Sequence, residues 1–178
     1  MLFKLDFTEN QIQRYARHIV LPEVGGLGQK KLLSAKVLVV GAGGLGAPLL
    51  IYLAAAGVGT LGVVDDDVVD LSNLQRQIIH TTKTIGLPKV ESARKKIQSI
   101  NPDIKFVTHH KRIKNSNVNT IIADYDLIAD GSDNFTTRFL INDACHLLQK
   151  TLVSAAIMRF EGQISTFKPH VSAEYPCY

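Results

Sequence analysis

The sequence predicts an α/β domain in which a mostly parallel sheet carries helices on both faces. At 178 residues, with 46% hydrophobic and 20% charged residues, the chain can bury one sizeable core but not two. Strand-like and helical runs alternate along most of its length. A glycine-rich turn at residues 41–46 lies between the first strand-like run and the helical run that follows it.

The first predicted elements are helical and lead into a buried strand. Thr8 and Gln11 have the spacing of a capping box, and apolar residues then recur at helical spacing, which predicts a helix over about 9–19. A short helix is expected near 29–34. The β-branched run at 36–40 predicts the first buried strand.

The later elements alternate as a parallel sheet requires. Residues 44–56 are apolar on every side, which predicts a buried helix that ends at Gly57. Strands are then predicted at 60–65, 104–108, 126–130, 152–156 and 163–167. Helices are predicted from Pro88, as the first helical residue, to about Ser99, and at 116–122 and 135–149. We assign residues 1–35 to a helical arm and 36–178 to a nucleotide-binding domain.

Composition argues against several other classes of protein. Residues 37–64 contain no charge, but glycines divide this segment into strand, helix and strand, so we expect no membrane span. The N-terminus lacks the pattern of a secretory signal, and the two cysteines are too few for a disulfide framework, which favours the cytoplasm. The basic stretches at 94–96 and 109–112 are interpreted as solvated faces or as contacts to an acidic protein, and not as a nucleic-acid site.

The glycine turn predicts a Rossmann-like nucleotide site. Gly41 permits a tight turn, Gly43 allows the backbone to approach a phosphate, and Gly46 allows the helix to pack against the strand. The helix that begins there offers free N–H groups to the phosphate. Asp65 ends the second strand, where a carboxylate can accept hydrogen bonds from ribose hydroxyls. These features fit NAD as well as ATP.

Further charges favour a triphosphate. Arg76 and Lys89 are candidate phosphate ligands, and Asp133, just past the fourth strand, is a candidate Mg²⁺ ligand. Asn73, in the same segment as Arg76, is a further polar candidate. Structural alternatives stay open for all four: Arg76 and Lys89 as surface charges, Asn73 as a turn residue, and Asp133 as a helix N-cap. Together at strand ends, these residues favour ATP.

The sequence resembles the ubiquitin-activating-enzyme-like adenylyltransferases, which act on sulfur-carrier proteins in molybdopterin and thiamine biosynthesis. The resemblance covers nearly the whole chain and is carried by residues 14–17, 19–22, 39–46, 55–59, 71–77, 88–91 and 133–134. The segment at 72–77 (SNLQRQ) is far more specific than the glycine turn. An NAD-dependent oxidoreductase and a non-catalytic subunit of an activating heterodimer remain the alternatives.

The resemblance implies that the C-terminal Gly-Gly carboxylate of a ubiquitin-like carrier protein attacks the α-phosphate of ATP, giving an acyl-adenylate and pyrophosphate. It assigns ribose binding to Asp65, phosphate binding to Asn73, Arg76 and Lys89, and Mg²⁺ to Asp133. Arg17 would reach the active site of the other subunit, which implies a homodimer. The wider nucleotide set that it implies is Gly41, Gly43, Gly44, Leu45, Gly46, Asp65, Asp67, Asn73, Arg76, Lys89 and Asp133.

Three further expectations depend on the same resemblance. Cys177 corresponds to the first of four zinc-binding cysteines; one cysteine cannot complete a tetrahedral site, so zinc is expected only in a longer chain and this one looks truncated. Residues 65–67 resemble the thiamine branch and residues 155–163 the molybdopterin branch, to which we lean. His18 and Cys145 are interpreted as structural residues.

Overall fold

The structure, a computed structural model, describes residues 7–172 and 174–178. Six strands form one sheet in the order β3-β2-β1-β4-β5-β6, and every neighbouring pair is parallel except β5 and β6. The strands are β1 Lys36–Val40, β2 Thr60–Val64, β3 Lys105–His109, β4 Leu127–Asp130, β5 Thr151–Met158 and β6 Glu161–Phe167. The predicted α/β class with a mostly parallel sheet is confirmed.

Helices cover both faces of the sheet. They are α1 Glu9–Arg14, α2 Ala16–Ile19, α3 Gly25–Ser34, α4 Gly46–Ala56, α5 Lys89–Ile100, α6 Val118–Ala123 and α7 Phe135–Leu147. Because side chains alternate along a strand, Val37 and Val39 of β1 join α4 and α5 in one core, while Leu38 and Val40 join α6 and α7 in the other. Among the described residues, no helix is both long and apolar enough to cross a membrane.

The predicted helix over 9–19 is wrong as a single element. The capping box at Thr8 and Gln11 is present, but Tyr15 leaves helical geometry and separates α1 from α2. Its side chain is 1% exposed, its ring occupies the space beside Gly57, and its hydroxyl accepts a hydrogen bond from Asn101 Nδ2 at 2.8 Å. Burial against distant residues therefore overrides the local helical pattern.

Other boundaries also differ from the sequence predictions. Helix α3 begins at Gly25, four residues before the expected start, and α4 begins at Gly46 instead of Gly44. Pro88 is the N-cap of α5 and not its first residue, because its backbone is extended and pairs with Val68. Short 3₁₀ helices at Leu71–Asn73 and Thr82–Thr84 were not predicted. The N-terminal residues that favour the cytoplasm lie outside the described part.

Candidate nucleotide-binding site

A cleft of about 360 Å³ opens where β1, β2 and β4 end. The carboxyl ends of parallel strands meet at one edge of a sheet, and the order of these strands leaves a crevice there. The loops that follow the three strands, together with the segment after β3 and the start of α5, supply its walls. The residues predicted for the site that line this cleft are Gly41, Gly43, Gly44, Asp65, Asp67, Arg76, Lys89 and Asp133.

The glycine turn has the geometry that the sequence predicts for Gly41 and Gly46. Gly41 has a φ of +90°, and its N–H donates to the carbonyl of Val64 at 2.9 Å. A Cβ at Gly46 would lie 1.8 Å from the carbonyl oxygen of Gly41. Helix α4 therefore starts directly against the turn, with Leu45 as its N-cap, and points its N-terminus at the cleft.

Both the N–H and the carbonyl of Ala42, which lies within the turn, have side-chain partners. Its N–H donates to Asp65 Oδ2 at 2.8 Å, and its carbonyl lies 3.0 Å from His80 Nε2. The other carboxylate oxygen of Asp65 accepts the N–H of Asp67 at 2.9 Å. Asp65 thus fixes the turn and its own loop while it faces the cleft, so the turn is shaped before any ligand arrives.

His80 is a structural part of the site that the sequence analysis missed. It is 5% exposed, and its Nδ1 lies 2.9 Å from Ser92 Oγ. Burial is the main reason that the pKa of His80 lies below its ordinary value of 6.5, and the charge of Lys89 lowers it further. Neutral His80 can donate from Nε2 to Ala42 and accept at Nδ1. A lone histidine between Ile79 and Thr81 carries no local signal for this role.

Lys89 brings a buried cation to the cleft. Its side chain is only 7% exposed, and Nζ lies 2.7 Å from Asp67 Oδ2. The backbone explains this position: Lys89 N–H donates to the carbonyl of Asp67, which ties the start of α5 to the loop after β2. The surface-charge alternative for Lys89 is therefore wrong.

Arg76 is exposed and extends along the glycine turn. Its Cδ is 3.7 Å from the position that a Cβ would take at Gly44, and its Nη1 donates to the carbonyl of Ser72 at 3.2 Å. Asn73 does not line the cleft. Its Oδ1 accepts the N–H of Asp70 at 3.1 Å, which supports the alternative that it is a turn residue.

Asp133 lies exposed on the wall that β4 supplies. The N-cap of α7 is Asn134, whose side chain accepts the N–H of Thr137 at 2.9 Å, so the N-cap alternative for Asp133 is wrong. Asp133 Oδ1 accepts a 3.3 Å hydrogen bond from Asn134 Nδ2 at the surface, which leaves further lone pairs of the carboxylate facing the cleft. Beneath it, buried Asp130 accepts the N–H of Ser132 at 2.9 Å and fixes the start of this loop.

A buried ionic group supports the loop from below. Asp130 Oδ2 lies 3.3 Å from Arg138 Nη1 and accepts the hydroxyl of Ser154 at 2.9 Å. Arg138 also donates to the carbonyl of Ser132. Strands β4 and β5 and helix α7 are thus joined under the wall of the cleft.

Lys111 and Arg112 also line the cleft, which the sequence analysis did not foresee. The sequence alone indicates a solvated face or a protein contact for this basic stretch. They follow β3, whose carboxyl end lies at the same edge as those of β1 and β2. With Arg76 and Lys89 they give the cleft four cationic side chains, which face the carboxylates of Asp65, Asp66, Asp67 and Asp133.

Two predicted residues lie elsewhere. Arg17 is exposed on α2 and does not line this cleft. Cys177 is exposed beside a second hollow, lined by Asn142, Asp143, His146 and Leu147.

Cys145 is buried in α7, and burial raises the pKa of its thiol to about 12, so it remains protonated at neutral pH. His18 bonds Gln29 Oε1 at 2.8 Å, in agreement with a structural role.

The residues of the cleft fit a magnesium nucleotide. Cations, a glycine turn and a helix N-terminus suit phosphates, and the exposed carboxylate of Asp133 offers the oxygen that Mg²⁺ prefers. The sequence profile of the ThiF family matches residues 15–178. The chain belongs to the ThiF family. This membership agrees with the resemblance seen in the sequence and separates the chain from the dehydrogenases that share the glycine turn.

Similar proteins of this family carry informative names. The chain is 54% identical over 160 residues to a protein of Mycobacterium tuberculosis named probable adenylyltransferase/sulfurtransferase MoeZ, covering 90% of this chain and 41% of the relative. It is 51% identical over 178 residues to the SAMP-activating enzyme E1 of Haloferax volcanii, covering 100% of this chain and 64% of the relative. The chain thus spans about two fifths to just under two thirds of these relatives.

A solved structure shows the same architecture. The structure described as TcdA (CsdL) superposes with a TM-score of 0.78 at 26% identity, over 83% of this chain and 58% of that chain. The arrangement of strands and helices around the cleft is therefore shared with a solved structure.

Proposed function

We propose that this ThiF-family chain binds Mg-ATP in the cleft and adenylates the C-terminal Gly-Gly carboxylate of a ubiquitin-like sulfur-carrier protein. The observation that carries the proposal is the convergence of the glycine turn, Arg76, Lys89 and Asp133 on one cleft. The names of the similar proteins, adenylyltransferase and activating enzyme, support the same reaction. We favour adenylation over hydride transfer, because binding a dinucleotide does not require these additional charges. We place the reaction in the cytoplasm.

Each side chain has a role that its position supports. The backbone N–H groups of the glycine turn and of the N-terminus of α4 donate to phosphate oxygens, while Asp65 accepts from the ribose hydroxyls. Arg76 and Lys89 neutralise the triphosphate and stabilise charge as pyrophosphate leaves. Asp133 would hold Mg²⁺, which supplies charge neutralisation at the phosphates when bound. No enzyme nucleophile is required, because the carboxylate of the carrier is itself the attacking group.

The buried lysine is well suited to this work. Lys89 is 6% exposed, so its charge is weakly screened by water and acts strongly on an anion in the cleft. Its ion pair with Asp67 holds the ammonium in place before a nucleotide binds. Preorganised charge of this kind costs no rearrangement during the reaction. Asp67 thereby contributes to nucleotide binding by positioning Lys89.

The test is exchange of labelled pyrophosphate into ATP with purified Gly-Gly carrier proteins. Exchange that depends on both carrier and Mg²⁺ is expected. Asp133→Ala should abolish exchange while the thermal transition stays unchanged, because Asp133 is exposed. Asp103→Ala, which removes another exposed carboxylate far from the cleft, is the matched control. Exchange without any carrier requirement, or full activity in Asp133→Ala, would contradict these assignments.

We further propose a homodimer in which Arg17 enters the site of the partner subunit. The exposure of Arg17 and its absence from the lining of its own cleft support this. Mixing Arg17→Ala with Asp133→Ala chains tests the idea, because a mixed dimer would contain one intact composite site. When equal amounts of the two variants reassociate at random, half of the dimers are mixed, and each mixed dimer has one intact site out of two. About a quarter of the wild-type rate should therefore return. Failure of the two variants to complement each other in a verified mixed dimer would refute it.

The carrier identifies the pathway. We favour a molybdopterin-type carrier over a thiamine-type carrier, as the sequence of residues 155–163 suggests, and parallel exchange assays with both would distinguish them.

A non-catalytic subunit is disfavoured because Arg76, Lys89 and Asp133 all line the cleft. In a longer chain, Cys177 would be one of four zinc ligands, and two cysteines in these 178 residues do not complete such a site.

A further inference from the structure

Gln77 presents an unusual buried side chain to the cleft. It is 4% exposed and yet lines the cleft beside the glycine turn. Its backbone is fixed at both ends: the N–H donates to the carbonyl of Asn73 at 3.0 Å, and the carbonyl accepts the N–H of His80 at 3.0 Å. The loop therefore fixes the backbone of Gln77, while its side-chain amide makes no hydrogen bond to the described residues.

The amide oxygen of Gln77 has no hydrogen-bond partner within residues 7–172 and 174–178. Leaving a buried acceptor unpaired costs about 1–3 kcal/mol of stability. An apolar side chain of similar size would avoid this cost, so folding alone does not explain a glutamine here. Ser132 Oγ, another buried polar atom without a partner in the described part, also belongs to a residue that lines this cleft. Two such atoms at one cleft point to a ligand that pairs with them.

The position of the amide indicates which part of the ligand it meets. Nε2 of Gln77 is 3.7 Å from the position that a Cβ would take at Gly43. Cδ of Arg76 is likewise 3.7 Å from the position that a Cβ would take at Gly44. The two side chains thus stand over consecutive glycines of the phosphate-binding turn. A glutamine amide both donates and accepts, whereas a phosphate only accepts and a peptide N–H only donates.

We propose that Gln77 is a further substrate-contacting residue of the adenylation site and that its amide bridges the two substrates. Nε2 donates to a non-bridging oxygen of the α-phosphate, and the side chain rotates so that Oε1, which is covered in this structure, accepts the terminal peptide N–H of the carrier tail. This inference rests on the proposed function. It gives the cleft a neutral group that aligns the tail carboxylate with the phosphorus without adding negative charge.

The bonding changes leave Gln77 unaltered. An oxygen of the tail carboxylate forms a bond to the α-phosphorus, and the bond from that phosphorus to the bridging oxygen of pyrophosphate breaks. The electron pair leaves with pyrophosphate, so no proton is transferred and the total charge is conserved. The amide contributes alignment and a hydrogen bond to the phosphoryl oxygen.

Variants at Gln77 separate this role from a structural one. Gln77→Met keeps the volume and removes both polar atoms; we expect an unchanged or higher Tm and a fall in kcat of at least about tenfold. Gln77→Glu retains an acceptor but places a carboxylate near the phosphates, and ATP affinity should also fall by at least about tenfold. Gln98→Met, at an exposed position on α5, is the matched control.

The measurements are pyrophosphate exchange, calorimetric binding of ATP without carrier, and thermal unfolding. A merely structural Gln77 would lower Tm and leave kcat and ATP affinity unchanged, which would overturn the inference. If the wild type exchanges pyrophosphate and Gln77→Met matches it in kcat and both KM values, the inference fails while the proposed function stands. If the wild type shows no exchange with any carrier, the proposed function fails, and unchanged ATP affinity in Gln77→Glu would still refute the contact.

Discussion

Arg138→Met should destabilise the chain far more than loss of a surface arginine. Arg138 is 7% exposed and pairs with Asp130, whose side chain is 1% exposed. Removing the cation leaves a buried carboxylate without its counter-ion, which costs about 3 kcal/mol or more. Unfolding entropy is about 2.1 cal/mol/K per residue, so over 178 residues this loss lowers Tm by roughly 8 °C.

The assay is thermal and urea unfolding followed by circular dichroism. Arg14→Met is the matched control, because Arg14 is 35% exposed and lies 3.9 Å from an exposed Asp103; it should cost less than about 1 kcal/mol. Adding Asp130→Asn to Arg138→Met removes the stranded charge and should recover part of the loss. Equal Tm values for Arg138→Met and Arg14→Met would refute the reasoning, as would a double variant less stable than Arg138→Met alone.

Three other perturbations test separate parts of the structure. Gly46→Ala should cost about 3 kcal/mol or more in urea unfolding, since its Cβ would lie 1.8 Å from the carbonyl of Gly41, whereas Gly44→Ala should cost little because its Cβ meets side-chain atoms at 3.7 Å; equal stabilities would contradict this. Because burial lowers the pKa of His80, the folded chain binds a proton less readily than the unfolded chain, so stability should be full above pH 6.5 and fall as the pH drops below it; an equally steep fall in His80→Gln would exclude His80 as the cause. Lys89→Met should raise the KM for ATP in pyrophosphate exchange by at least about tenfold, and an unchanged KM would remove Lys89 from the phosphate site.

Much of the fold is encoded in local patterns. The buried strands β1 and β2 and the helix between them were predicted to within two residues, because a run of apolar residues, a glycine turn and a glycine C-cap mark them locally. The break at Tyr15 was missed because its cause is distant: the ring packs at Gly57 and bonds Asn101. Periodicity in a sequence carries no information about such a contact.

The candidate site was predictable where residues follow strands directly. Asp65 and Asp133 were found because the ends of parallel strands meet at one edge. Lys111 and Arg112 follow β3 and obey the same rule, but their charge was interpreted locally. Gln77 and His80 depend on burial and unpaired atoms, which only the folded chain shows.

Tyr15 also couples the local unfolding of the N-terminal helices to that of the sheet domain. Its hydroxyl reaches Asn101, which in turn donates to the carbonyl of Ala54 at 2.8 Å, and Gln29 of the arm donates to the carbonyl of Ala56 at 3.0 Å. Gln29 therefore satisfies one carbonyl at the end of α4 directly from the arm, while Asn101, at the end of α5, satisfies another and also holds Tyr15. Helices α1 to α4 should therefore exchange their amide hydrogens as one cooperative unit, which couples the helix that carries Arg17 to the glycine turn at the start of α4.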